Sequence, residues 1–215
     1  MKKPLTQSNL IAMAKSFCSE SHIYLELFGA TDGKAIGTFI EHRFGERLEA
    51  LYAVQVGNSA LGIDLPSVET DIKVTSARQP QSSYPFRSAR QKVYGLGYHL
   101  LLFVYDKRDN HRTKKAMLSF VSCAFIDKTR TADYQTTRGI LEILGRDGNH
   151  DDVTAFLTDR NLPGDEIVLN TLADEIMQSP PVLGYLTVSN ALQWRLQYGR
   201  IVNLTEAVSG ITKIV

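Results

Sequence analysis

Two apolar runs, Tyr98 to Tyr105 and Ala116 to Ile126, constrain the fold of this chain more than any other feature. Both are rich in aliphatic, β-branched and aromatic residues, which is the signature of central strands in a sheet. The charged segment Asp106 to Lys115 between them reads as a turn. Two helical patterns precede them. Leu10, Met13, Ala14 and Phe17 recur at helical spacing within Leu5 to Leu27, after a Ser8 or Thr6 cap and before the break Gly29 to Gly33. From Ala35 to about Val54, Ile36, Phe39, Ile40, Phe44, Leu48 and Leu51 form a second apolar stripe, ended by Gly57-Asn58-Ser59.

Leu61 to Leu65, a Pro66-Ser67 turn and Val68 to Thr75 then read as a β-hairpin-like pair. After a polar loop, Phe86 to Leu96 is a plausible helix. Past Thr131 the chain turns helical, at Thr137 to Leu144, Asp151 to Asp159, Asp165 to Gln178 and, beyond Pro180-Pro181, Ser189 to Tyr198. The expectation is an α/β (α+β) fold: a central mixed β-sheet flanked by helices, with a mainly helical C-terminal part. With no repeat or linker in view, one domain is expected over 1–215, its core at about 34–130 and its helical part at about 131–215.

Composition removes several functions. At 215 residues, 43% hydrophobic and 22% charged, the chain can bury a full core. Its 24 basic against 23 acidic residues exclude a wholly basic coating protein, although a neutral total can hide a basic face. Cys18 and Cys123 are far apart and lack metal-ligand spacing, so they read as ordinary buried thiols. The five histidines show no metal-like spacing either, and only His42, beside Glu41, stands near a candidate group. No apolar run approaches the roughly 18 residues of a membrane span, and the N-terminus lacks a targeting pattern, so a cytoplasmic protein is expected.

Chemistry concentrates between Asp64 and Lys73. Residues two apart share one face of a strand, so Asp71 and Lys73 project together while Ile72 and Val74 turn to the core. Asp64, just before the turn, can come round to the same edge. Two neighbouring carboxylates repel unless a cation lies between them, and hard oxygen ligands of this kind suit Mg²⁺. Such a metal polarises a phosphate oxygen and acidifies a bound water, while an adjacent ammonium steadies the developing charge. An acid-x-Lys triplet alone arises about once by chance in a chain of this size. Asp32-Gly33-Lys34 is a second copy that reads as a turn.

A third acid adds weight. Glu41 lies on the second helix between Gly37 and Gly45, whose missing side chains allow close backbone approach. Here the chain resembles the mismatch-repair nicking endonuclease family and its relatives among type II restriction enzymes, within the PD-(D/E)xK nuclease superfamily. Lys34, Gly37, Glu41 and Gly45 match that family's Lys-containing turn and Gly-x-x-x-Glu-x-x-x-Gly helix. Asp64-Leu65-Pro66 and Asp71-Ile72-Lys73 match its two acidic segments, with Asp71 in place of the more common Glu. The resemblance implies a restriction-endonuclease-like core. It also implies that Asp64, Asp71 and the Ile72 carbonyl ligate one or two Mg²⁺ ions, that Lys73 orients or activates water, and that Glu41 supports the cluster. Glu46 and Glu49 on the same helix stay open as alternatives to Glu41.

Three segments could hold DNA. The loop after the acid-x-Lys strand offers Gln79, Gln81, Ser82 and Ser83, with Arg87 and Arg90 beyond it. The expected helix Ser189 to Tyr198 presents Asn190, Gln193, Arg195 and Gln197, with Arg200 just beyond, as a candidate reading face. The basic run Lys107 to Lys115 is a weaker candidate for phosphate contact, since most such turns are merely solvated. The leading expectation is a Mg²⁺-dependent type II restriction endonuclease cutting double-stranded DNA at a specific sequence, leaving 5′-phosphates and working as a homodimer. A DNA-repair nicking endonuclease and a non-enzymatic DNA-binding regulator are the rival readings.

Overall fold

In a computed structural model that describes residues 2–54, 63–83, 88–189 and 195–215, the two apolar runs become the longest strands of a mixed sheet flanked by helices. The chain divides into two units. The first comprises Met1–Ser82, Tyr98–Ile126 and Thr205–Val215, and the second comprises Ser83–Gly97 and Asp127–Leu204.

In the first unit, strand β1 (Lys3–Pro4) leads into helix α1 (Gln7–Cys18), whose first turn is capped by the Thr6 hydroxyl accepting from the Asn9 amide at 3.2 Å. The helix stops at Cys18 and does not continue to Leu27. The polar Ser19-Glu20-Ser21 break releases the chain into strand β2 (His22–Tyr24). Asp32 then caps α2 (Gly33–Leu51), which buries Ile36, Ile40, Phe44 and Leu48 at four-residue intervals. This helix ends at Leu51, where β3 (Tyr52–Ala53) pairs in parallel with β1; the expected stop at Gly57 to Ser59 lies outside the described residues.

Strands β4 (Thr70–Ser76), β5 (Gln81–Ser83), β6 (His99–Asn110) and β7 (Lys115–Ile126) follow. β6 and β7 form a long antiparallel hairpin, and β4 adds to β6 in parallel, with Asp71 opposite Leu100 and Lys73 opposite Leu102. β2 pairs with the first half of β7. The charged segment is therefore mostly strand, and the turn shrinks to His111–Lys114. Its charges are absorbed along the strand: Lys107 pairs with Asp109 at 2.7 Å and Arg108 with Asp106 at 3.1 Å. The Asn110 side chain accepts from the Arg112 and Thr113 amides and sets the turn. An aromatic cluster seats α1 and α2 on the sheet, with Phe17 5.2 Å from Phe44 and Phe44 5.1 Å from Phe103 by ring centroids. Both cysteines are free; Cys123 is buried, whereas Cys18 is only half-buried.

The second unit begins with α3 (Ala89–Tyr94), shorter than the expected Phe86 to Leu96, with 84–87 outside the described residues. Helices α4 (Tyr134–Leu144), α5 (His150–Asp159) and α6 (Glu166–Gln178) are capped by Asp133, Asn149 and Asp165 and share a core that includes Val93, Ile140, Val153, Leu157 and Leu172. Of the expected helix over Ser189 to Tyr198, residues 190–194 lie outside the described residues, and the described remainder is not helical. Instead β8 (Thr187–Val188) pairs antiparallel with β9 (Arg195–Gln197), followed by the single turn α7 (Gly199–Val202). The reason lies in the pattern. Leu192, Trp194, Leu196 and Tyr198 alternate with polar residues, and that period of two outweighs the lone helical pair Leu192 and Leu196. The last strand, β10 (Ile211–Lys213), belongs to the first unit and pairs there with the end of β7. Among the described residues no helix is long and apolar enough to cross a membrane.

Candidate active site

The His99 amide donates to the Glu69 carbonyl and the Ala77 amide to the Tyr105 carbonyl, both at 2.8 Å. In β4, odd-numbered residues thus direct their backbone groups to β6, and even-numbered ones direct theirs to the opposite edge. Among the described residues that edge is unpaired by any strand, since β4 ends the sheet order. The Ile72 amide meets a side chain there: it donates to Asp64 Oδ2 at 2.8 Å. Alternation turns the Ile72 carbonyl to the same edge, while its side chain enters the core.

Local geometry brings Asp64 back to this strand. Pro66–Val68 form a 3₁₀ turn, Glu69 takes a left-handed conformation at φ 46°, and Leu65 bridges Thr70. The expected β-hairpin-like pair is thus a sharp reversal with one bridge, and its first half, 61–62, lies outside the described residues. Asp71 and Lys73 project from one face of β4, with Lys73 Nζ 2.6 Å from Asp71 Oδ2.

Three acids and one ammonium sense one another here. The Asp71 carboxyl, 3% exposed, is pushed up to about 7, chiefly by burial and further by Asp64, against the pull of Lys73. Burial likewise raises Glu41, followed by the Asp64 charge, with Lys73 and His42 opposing. Glu41 is therefore the acid of α2 that faces this group. Glu46 is exposed and paired with Arg43 at 3.3 Å, and Glu49 is exposed. Of the two flanking glycines only Gly37 serves a close approach: a Cβ there would lie 3.3 Å from the Val74 carbonyl oxygen, whereas Gly45 faces open space. Lys34 is exposed in the first turn of α2, its amide bonded to the Asp32 cap.

Among the described residues no three His, Cys, Asp or Glu side chains are placed to enclose a cation. The edge offers a pair of carboxylates, Asp64 and Asp71, with the Ile72 carbonyl beside them and Glu41 behind. Two hard anionic oxygen donors suit Mg²⁺, which takes one or two carboxylates and keeps several waters.

The candidate DNA contacts scatter. Gln79 is exposed in the loop after β4 and Gln81, half-buried, opens β5; the Thr75 hydroxyl bonds both of their carbonyl oxygens. Ser82 is half-buried and Ser83 exposed. Arg90 is committed to Glu175, at 2.9 and 3.0 Å from its Nε, and stacks on Tyr94. Arg200 lies over the Tyr134 ring at 3.6 Å. Arg195 and Gln197 share one face of β9, so the helical face expected to carry them does not exist in the described residues. Arg87, Asn190 and Gln193 lie outside those residues. The sequence reading passed over the buried pair Lys92 and Asp133; its one signal was an Asp standing directly before a helix.

Comparison with known proteins supplies the class, that of type II restriction enzymes. The family described as Type II restriction enzyme NspV matches residues 4–213 of this chain. A Nostoc sp. protein described as Type II restriction enzyme NspV is 52% identical over 212 residues, covering 98% of this chain and 96% of its own. The chain belongs to the NspV family of type II restriction enzymes. No solved structure matches it.

Proposed function

We propose that the protein is a Mg²⁺-dependent endonuclease of the PD-(D/E)xK superfamily that hydrolyses phosphodiester bonds of double-stranded DNA at a specific sequence, leaves 5′-phosphates and acts as a homodimer in the cytoplasm. The observation that carries this reading is the convergence at the β4 edge, where Asp64 binds the Ile72 amide at 2.8 Å and Lys73 holds Asp71 at 2.6 Å. The family supports the substrate class.

Asp64, Asp71 and the Ile72 carbonyl are the groups that would hold the metal. When bound, Mg²⁺ supplies polarisation of a phosphate oxygen and an acidified water. The Lys73 ammonium, fixed by Asp71, hydrogen-bonds the attacking water and aligns it with the phosphorus. Glu41, close enough to feel both Asp64 and Lys73, adds negative charge that favours the cation. Breaking the bond to the 3′-oxygen leaves the phosphate on the 5′ end. Two strands of a symmetric site call for two such centres, which a twofold dimer provides.

The test is incubation of a large plasmid of known sequence with the protein and Mg²⁺, alongside Asp71→Ala and Lys73→Ala. Discrete fragments from the parent and none from either variant are expected, and end mapping gives the site. Intact plasmid across several divalent metals and many sequences would overturn the reading in favour of a DNA-binding regulator.

A further inference from the structure

The second unit contains a pocket of about 350 Å³. Lys92 of α3, only 3% exposed, and the half-buried Arg160 at the end of α5 line it together, with Asn161, Gln135 and the hydroxyl residues Thr187 and Ser189. Arg160 Nη2 donates to Gln135 Oε1 at 2.9 Å, which fixes the guanidinium in place. The Lys92 ammonium is held down by burial first, and Arg160 lowers it further while Asp133 opposes, so the two cations sense each other.

Asp133 is the buried counter-charge, and its oxygens are committed to the framework. Oδ2 accepts from the Thr136 amide at 2.9 Å and hydroxyl at 2.7 Å, and Oδ1 accepts from the Val188 amide at 2.8 Å. The pocket's other acid, Asp159, is exposed. Two cations among amide and hydroxyl donors match a tetrahedral oxyanion. Asp133 also pins β8, and with it the β8–β9 ribbon. Val188 and Leu196 turn inward, at 6% and 0% exposed, leaving Thr187, Ser189, Arg195 and Gln197 on the opposite face.

We propose that this pocket binds a backbone phosphate of the DNA and thereby seats strands β8 and β9 against a groove, with Arg195 and Gln197 turned to the bases. Strands laid in a groove can read base edges, and phosphate contacts set their register. The inference rests on the endonuclease reading above.

The experiment measures binding of the full-length protein, in Ca²⁺, to a duplex bearing the mapped site and to an unrelated duplex over a range of salt. Arg160→Ala is expected to weaken both duplexes about equally and to reduce the salt slope by about 1, and Arg160→Lys restores the slope. Gln197→Ala is expected to weaken the site duplex alone. Circular dichroism and thermal unfolding establish that each variant is folded. A folded Arg160→Ala protein with the parent's salt slope overturns the pocket proposal while leaving the endonuclease reading intact. A parent protein that neither binds nor cuts any duplex overturns the endonuclease reading itself.

Discussion

Replacing Asp71 by Asn should make the metal-free protein less sensitive to pH, while abolishing cleavage. An Asp that titrates at 3.8 when free and at about 7 in the fold holds its proton more tightly when folded. Ionising it therefore costs stability: nothing below pH 3.8, and the full amount above about 7. About 3 units at about 1.4 kcal/mol each make that full cost about 4 kcal/mol. Between pH 5 and pH 8 the share lost is about 2–3 kcal/mol, because at pH 5 part of the cost is already present. Asn cannot ionise, so the variant lacks this pH-dependent cost. Urea unfolding in EDTA at pH 5, 6, 7 and 8 measures the difference between the two proteins, which should move in favour of Asp71→Asn by about 2–3 kcal/mol across the series. A difference that stays flat refutes the argument that burial and Asp64 raise this carboxyl. Saturating Mg²⁺ should restore stability to the parent at pH 8 and leave the variant unchanged.

Two further outcomes follow from the geometry. Glu41→Gln should cut the cleavage rate by about tenfold or more, as losses around metal ligands do, whereas Glu46→Gln should stay within about twofold; initial rates on a plasmid separate them. Phe44→Ala, which empties a fully buried position between Phe17 and Phe103, should cost about 3–5 kcal/mol in denaturant unfolding.

The parts of the fold legible in the sequence were those where one periodicity stood alone. β6 and β7 carry unbroken apolar runs, and α2 has a full stripe from Ile36 to Leu48; β7 and α2 were foreseen close to their final bounds, while β6 runs on past the expected Tyr105 to Asn110. Where two periods coexist, the reading failed. The alternation from Leu192 to Tyr198 also contains a helical pair, and the neighbouring strand β8, which settles the matter by pairing, is not visible in local pattern. α1 was overextended because Ile23, Leu25 and Leu27 continue an apolar count across a polar break. At the candidate site, strand alternation alone put Asp71 and Lys73 on one face. Choosing among Glu41, Glu46 and Glu49 needed the rotation of α2 against the sheet, which depends on how closely Gly37 lets the helix approach Val74.

The outer edge of β4, which no strand covers among the described residues, has a consequence beyond chemistry. A strand with unpaired amides and carbonyls on its outer side is a template for a foreign strand, and natural sheets protect such edges. Here the Asp64 carboxylate occupies the Ile72 amide, and the left-handed residue Glu69 ends the strand abruptly. The charged pair Asp71 and Lys73 interrupts the apolar surface that a growing stack of strands would bury. The same residues offered to a metal thus guard the sheet against self-association, and variants that neutralise Asp64 put solubility at risk as well as activity.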